Sequence, residues 1–327
     1  MAPLVQWQEA LKTLLNIPRY GPLALEDPQS EISVSLEHDG ESLDVTRNNV
    51  VAALRPFTIG VMLPVNHVER LSGKILRLSM RKTGGHQCLL GTITLQWART
   101  ISVGDYSFCL FETPACENFC SPAPVLGWYD LHTAWRVYRG RKRNPYNFQM
   151  TRSDLRCNWV FYICPRPVVL VTVEHNGASN MFPMDLIGPT DSPWFSMALR
   201  RTNPAIKLMQ ESRKIALASV PFAYKEYAYE LGKHHRKETI DWASLPFPTV
   251  RSELFKLPVA EAALKVREVS VEQFHDVGSH VLFLTKTLQD APEGACRNQM
   301  FHAFSSYRQY LSWTMSRQAT PPAASSK

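Results

Sequence analysis

The sequence predicts an α+β protein, mainly β with helices, divided into two domains. Three observations predict it. The chain has 327 residues, more than the roughly 100–200 usual for one domain. A period-two alternation, Ile32, Val34 and Leu36, turns at Asp39-Gly40 and resumes at Leu43 and Val45, the pattern of a half-buried hairpin. Far downstream a second β-branched run, 168–173, ends at His175-Asn176-Gly177, where Asn-Gly suits positive φ. The composition, 45% hydrophobic and 20% charged, excludes a largely disordered chain.

In order along the chain, Leu4, Leu11, Leu14 and Leu15 fall at helical spacing before Pro18 and Gly21, so an amphipathic helix is expected first. After the hairpin, strands are expected at 74–80, 89–97 and 106–111, the first two separated by Gly84-Gly85. Trp128, Leu131, Trp135 and Tyr138 then recur at helical intervals. A boundary near 140–155 gives a mainly β domain of residues 1–150, a second domain of 151–316, and a tail of 317–327 whose Pro, Ala and Ser content predicts disorder.

In the second domain the 168–173 strand should return after its turn, and 194–199 forms another. Asn203-Pro204 fits a cap followed by proline in the first turn of a helix carrying Ile206 and Met209. A buried strand at 215–220 stops at Pro221, and Tyr224, Tyr227, Ala228 and Leu231 share a helix face ending at Gly232. Strands at 264–274 and 280–288 and a last helix at 301–313 complete the reading. Val103-Gly104-Asp105-Tyr106 faintly echoes Val277-Gly278-Ser279-His280, as two related barrels or chance would produce.

The net charge of +7 concentrates in Arg136, Arg139, Arg141, Lys142 and Arg143. That run could hold phosphates or nucleic acid, but Gly140 and Asn144-Pro145 favour a solvated connector, so nucleic acid is not an expected partner. Seven cysteines at irregular spacing predict reduced thiols, and the cluster Cys109, Cys116 and Cys120 lacks the second ligand pair of a zinc site, so no metal is expected. No apolar run approaches the ~20 residues of a membrane span. Residues 1–15 lack the features of a secretory signal, and a cytoplasmic location is expected.

Neither Gly-x-Gly-x-x-Gly after a strand nor a Walker-type loop occurs, and Gly-x-Ser-x-Gly and His-Glu-x-x-His are also missing. Chemistry on this chain would therefore come from a cofactor held in a β-barrel or at a dimer interface. Cys164-Pro165-Arg166-Pro167 opens the 168–173 strand, and Asn180-Met181-Phe182-Pro183-Met184-Asp185-Leu186-Ile187-Gly188-Pro189 follows its turn. Pro193, Thr202-Asn203 and Gly278-Ser279-His280 come later in the same order. Over roughly 125 residues this resembles the flavin reductase-like FMN-binding split β-barrel family. The departures are Asp185 for a serine near the flavin, Gly188 for an asparagine, and Ser279 for an aspartate.

The resemblance implies a homodimer with FMN at the subunit interface and hydride transfer from NADH or NADPH to flavin. Its cofactor-facing positions here are Arg166, Asn180, Pro183, Met184, Asp185, Leu186, Ser196, Ala198, Arg200, Arg201, Thr202 and Asn203, and it makes His280 the catalytic candidate. Read from the residues alone, Arg200 to Asn203 bring guanidinium groups, a hydroxyl and free helix amides to one strand-to-helix turn, a phosphate site or a surface arginine pair with an ordinary cap. Asn180 to Leu186 could face the flavin or belong to a core. His280 could touch flavin or nicotinamide, or simply be hydrogen bonded. Lys233, His234, His235, Arg236 and Lys237 could receive nicotinamide phosphates or complement a helix C-terminus. The expected function is an FMN-dependent oxidoreductase resembling NAD(P)H:flavin reductases; the alternative is a non-catalytic flavin- or ligand-binding protein on the same barrel.

Overall fold

The computed structural model describes residues 20–26, 28–83, 88–143, 150–190, 193–290, 298–304 and 307. The expected first helix, the Gly84-Gly85 pair and the tail lie outside them. After β1 (Tyr20–Leu25) a first sheet is built from β2 (Ile32–His38), β3 (Glu41–Asp44), β4 (Asn49–Leu54), β5 (Phe57–Pro64), β6 (Ile75–Lys82), β7 (Leu89–Val103) and β8 (Tyr106–Asn118), with α1 (Val65–Leu71) between β5 and β6. α2 (Ala123–Arg143), α3 (Arg152–Phe161) and β9 (Arg166–Pro167) follow. The second sheet begins with β10 (Val169–His175), β11 (Ala178–Met184), β12 (Ile187–Pro189) and β13 (Trp194–Arg200), then α4 (Ala205–Ser212) and β14 (Lys214–Ser219). An insertion carries α5 (Lys225–Leu231) and a small hairpin, β15 (Thr249–Arg251) with β16 (Pro258–Ala260). β17 (Lys265–Val277) and β18 (His280–Asp290) complete that sheet, and β19 (Gln299–Phe304) lies between β1 and β9.

The two seven-stranded sheets have the same topology. Their orders are β3-β2-β6-β7-β8-β5-β4 and β11-β10-β14-β17-β18-β13-β12, which superimpose strand for strand in chain order. The backbone repeats too. Positive φ recurs at Asp39 and Gly40 against Asn176 and Gly177, at Gly73 against Arg213, and at Gly104 against Gly278. The motif echo in the sequence therefore marks equivalent turns, each joining the two longest strands of its sheet.

Each barrel buries its own apolar set, with Val34, Phe57, Ile59, Leu78 and Phe111 in the first and Val171, Phe182, Met197, Leu217 and Phe283 in the second. A further core lies between them: Val50, Ala52, Ala53, Met62 and Phe108 of the first barrel pack with Val277, Leu282 and Leu284 of the second. β4 and β5 are consequently buried almost throughout, and such strands show an unbroken apolar run in place of alternation. At Gly188 a Cβ would come within 3.3 Å of the Asn49 carbonyl oxygen, so glycine there lets β12 approach β4.

Three expectations change. Residues 301–304, assigned to a helix, belong to strand β19, because their backbone pairs with β1 on one side and β9 on the other; the rest of that segment, apart from Tyr307, is outside the described residues. Gly140 does not break structure, since α2 continues to Arg143; one glycine costs a helix only about 1 kcal/mol. The side chains of the basic run lie outside the description. Finally, Cys157, Trp159, Val160, Phe161, Tyr162, Ile163 and Cys164 bury in the first barrel's core, so the segment after residue 150 still belongs to that barrel's packing. α3 starts with a Thr151–Asp154 capping box, and Asp154 Oδ1 also accepts from the Phe57 amide at 2.8 Å.

Candidate functional site

The end of β13 carries the charges. Arg200 pairs in register with His280 on β18, and the chain then turns through Arg201, Thr202 and Asn203 into α4. The side chains of Arg200, Arg201 and Thr202 reach solvent, while Asn203 is buried. Arg201 lies 3.7 Å from Asp276. Two of the expected free amides are engaged: Asn203 Oδ1 accepts from the Ala205 amide at 2.9 Å, and the Asn203 carbonyl accepts from Ile206 at 3.1 Å. Asparagine in this turn satisfies the helix start itself.

The insertion supplies the facing wall. Asn203 Nδ2 donates to His235 Nδ1 at 2.9 Å, and His235 Nε2 donates to the Pro183 carbonyl at 2.9 Å, with the ring 4.9 Å from Phe182. That pattern fixes a neutral ring protonated at Nε2. Burial lowers its pKa, and the nearby Arg200 charge lowers it further. Arg236 is exposed beside it. Desolvation lowers the pKa of Arg200, and the Arg236 charge adds to this while Asp185 opposes it. His234 points inward to the Met181 carbonyl at 2.8 Å, so neither histidine of the basic cluster presents itself to a ligand.

Asp185 is held rather than bare. Its Oδ2 accepts from the Tyr162 hydroxyl and from His302 Nδ1, each at 2.9 Å. The His302 ring stacks on Tyr229 with centroids 6.0 Å apart. Tyr162, His302 and Tyr229 were not singled out by sequence reasoning, because they come from three separate elements that only the fold brings together.

The remaining expected positions divide by access. Pro183 and Asp185 are partly exposed; Leu186 is too, though it packs against the first barrel's core. Asn180 and Ser196 are 0% exposed, Ala198 2%, and Met184 6%. Asn180 Nδ2 instead donates to the carbonyls of His234 at 3.1 Å and Lys237 at 2.8 Å, tying the insertion to β11. Ser196 Oγ donates to the Gly188 carbonyl at 3.4 Å. Arg166 is 3% exposed and reaches Asn49 of the first barrel, so it fastens the barrels and has no surface toward a cofactor.

His280 also proves structural. It is 0% exposed, and its Nδ1 accepts from the Ser279 hydroxyl at 2.9 Å and the Leu54 amide at 3.4 Å. The side chain that the catalytic reading sets against flavin or nicotinamide thus has no accessible surface here. Desolvation, followed by the Arg200 charge, moves its pKa down to about 3. The ring is neutral in the folded protein and takes up a proton more readily in the unfolded chain. Its contribution is therefore complete above an unfolded pKa of about 6.5 and is lost as pH falls toward 3, by up to ~1.4 kcal/mol per pH unit. In His280→Asn, unfolding free energy measured between pH 7 and 4 should fall less steeply than in the parent. An unchanged slope would contradict the assignment.

No family model and no curated protein matches the chain. Solved structures do resemble it. The NADH:FAD oxidoreductase SgcE6 of Streptomyces globisporus is 16% identical, covering 50% of this chain and 96% of its own with a TM-score of 0.42. An FMN-binding protein from Thermus thermophilus, solved with p-hydroxybenzaldehyde, is 22% identical over 39% of this chain and 73% of its own, with a TM-score of 0.35. The flavin reductase PheA2 is 18% identical over 45% of this chain and 92% of its own, with a TM-score of 0.38.

Proposed function

We propose that the chain binds FMN and works as an NAD(P)H-dependent oxidoreductase of the flavin reductase type. The observation that carries this is that exposed Arg200, Arg201 and Thr202 share one strand-to-helix turn, which Asn203 ties to His235, the neighbour of exposed Arg236. The motif resemblance supplies the identity of the ligand. Bound FMN would supply hydride acceptance and electron transfer, chemistry that no side chain here offers. Arg200, Thr202 and Arg236 would hold the phosphate, while Pro183 and Asp185 border the adjoining surface. Tyr162 and His302 spread the Asp185 charge over two hydrogen bonds, which lessens the penalty this carboxylate imposes on an electron-rich ring.

The test is an absorption spectrum and FMN titration of the purified protein. Replacing Arg200 and Thr202 together with alanine should weaken FMN by about 2–4 kcal/mol, tens- to several-hundredfold. Unchanged affinity in the double variant would sink the site. The second reading, a flavin- or ligand-binding protein without turnover, is favoured by the complete burial of Asn180, Ser196 and His280, which leaves few groups to align a nicotinamide. FMN binding with no NADH or NADPH oxidation would select it. Asp185→Asn separates the two further: it removes a charge but keeps an acceptor for Tyr162 and His302, so a flavin lying beside it should gain potential. Redox titration of the FMN-loaded variant measures this, and an unaltered potential would place Asp185 away from the ring.

A further inference from the structure

We infer that this polypeptide is a dimer fused into one chain that has kept one of its two quasi-equivalent anion sites, so that it binds one phosphate-bearing ligand per chain and needs no second copy. The ligand class rests on the FMN reading above; the count and the self-sufficiency rest on the fold. Identical strand order and recurring positive-φ turns make the barrels equivalent halves. The face that β4, β5 and β8 would otherwise expose is already covered by Val277, Leu282 and Leu284 of the other half.

The halves differ at the equivalent strand ends. Arg200 pairs with His280, and in the first barrel the same register places Pro64 opposite Tyr106. Pro64 leads directly into α1 through Val65 and Asn66, whereas Arg200 is followed by Arg201, Thr202 and Asn203 before α4 begins. Residues 57–69 contain no lysine or arginine. The segment joining β6 to β7 is short, whereas the one joining β14 to β17 carries His235 and Arg236. One strand end is thus equipped for an anion, and among the described residues its counterpart has neither the turn nor the facing wall.

The unequipped barrel still takes part. Ser279 donates its amide to the Arg55 carbonyl at 2.9 Å, Arg55 donates its amide to Ser279 Oγ at 3.0 Å, and Arg201 donates its amide to the Ser279 carbonyl at 3.2 Å. Leu54 holds His280, the cross-strand neighbour of Arg200. The first barrel's 54–55 turn therefore braces the loop that carries the arginines, as a second subunit would. At Gly104, the counterpart of Gly278, nothing among the described residues lies within 4 Å of a built Cβ.

The experiment combines sedimentation of the full chain with calorimetric titration by FMN and, separately, by inorganic pyrophosphate. A one-chain particle binding one FMN is expected. Arg200→Glu should weaken it about tenfold or more, and Val65→Glu, one residue past the matching Pro64 of the first barrel, should leave it within about twofold. Pyrophosphate binding once per chain with the same variant pattern, but no FMN binding, would keep this inference and remove the flavin reading. Two ligands per chain, equal losses in both variants, binding that requires a two-chain particle, or no binding of either probe would overturn it.

Discussion

Gly278→Ala is expected to destabilise the protein by about 2–5 kcal/mol, against about 1–2 kcal/mol for Gly104→Ala at the matching turn. Both glycines have positive φ, 49° and 58°, so both variants carry the cost of a Cβ in the left-handed region. Only Gly278 adds a collision. Its Cβ would sit 2.5 Å from the Arg55 carbonyl oxygen and 3.0 Å from Pro56 Cδ, while at Gly104 nothing among the described residues lies within 4 Å. The obstacle is backbone and a proline ring, neither of which can swing aside. Relief requires the β4–β5 turn to lift off the β17–β18 turn, breaking the paired Arg55–Ser279 bonds and loosening the hold of Leu54 on His280. Denaturant unfolding of the two variants measures the difference. Equal losses would mean that the junction gives way at little cost.

That contrast shows what was legible in the sequence. Both hairpins, the 194–199 strand, the Asn203 cap and the α5 face could be read, because each is a local pattern of alternation, turn chemistry or helical spacing. β4 and β5 could not, since burial between two barrels erases their alternation. The duplication itself was visible only as the Val-Gly-x-x echo, because two barrels can keep a backbone path while sharing few side chains. In the site, Arg200 and Asn203 were found from the strand-to-helix turn. Arg166, Asn180 and His280 were placed toward a cofactor because motif positions carry no information about burial; in the fold their polar atoms are spent on Asn49, on the insertion and on Leu54.

The second large effect concerns Arg166 and Asn49, where removing the smaller partner should do more damage than removing the charge. The Arg166 guanidinium is 3% exposed and lies 4.1 Å over the Phe161 ring. It donates to the Asn49 carbonyl at 3.1 Å and to Asn49 Oδ1, and no carboxylate pairs with it among the described residues. Burial lowers its pKa. Asn49 is fully used as well, since its Nδ2 donates to the Val45 carbonyl at 2.6 Å. In Asn49→Ala the buried cation loses an acceptor and the Val45 carbonyl a donor, and leaving a buried charge undercompensated costs about 3–5 kcal/mol. In Arg166→Met the charge goes and a flexible apolar chain keeps the contact with Phe161, for an expected loss of about 1–2 kcal/mol. Adding Arg166→Met to Asn49→Ala should then recover stability, an inversion that lost packing alone would not produce. A double-mutant cycle in denaturant measures it, and a double variant less stable than Asn49→Ala would show that the arginine holds the barrels together by a net attraction.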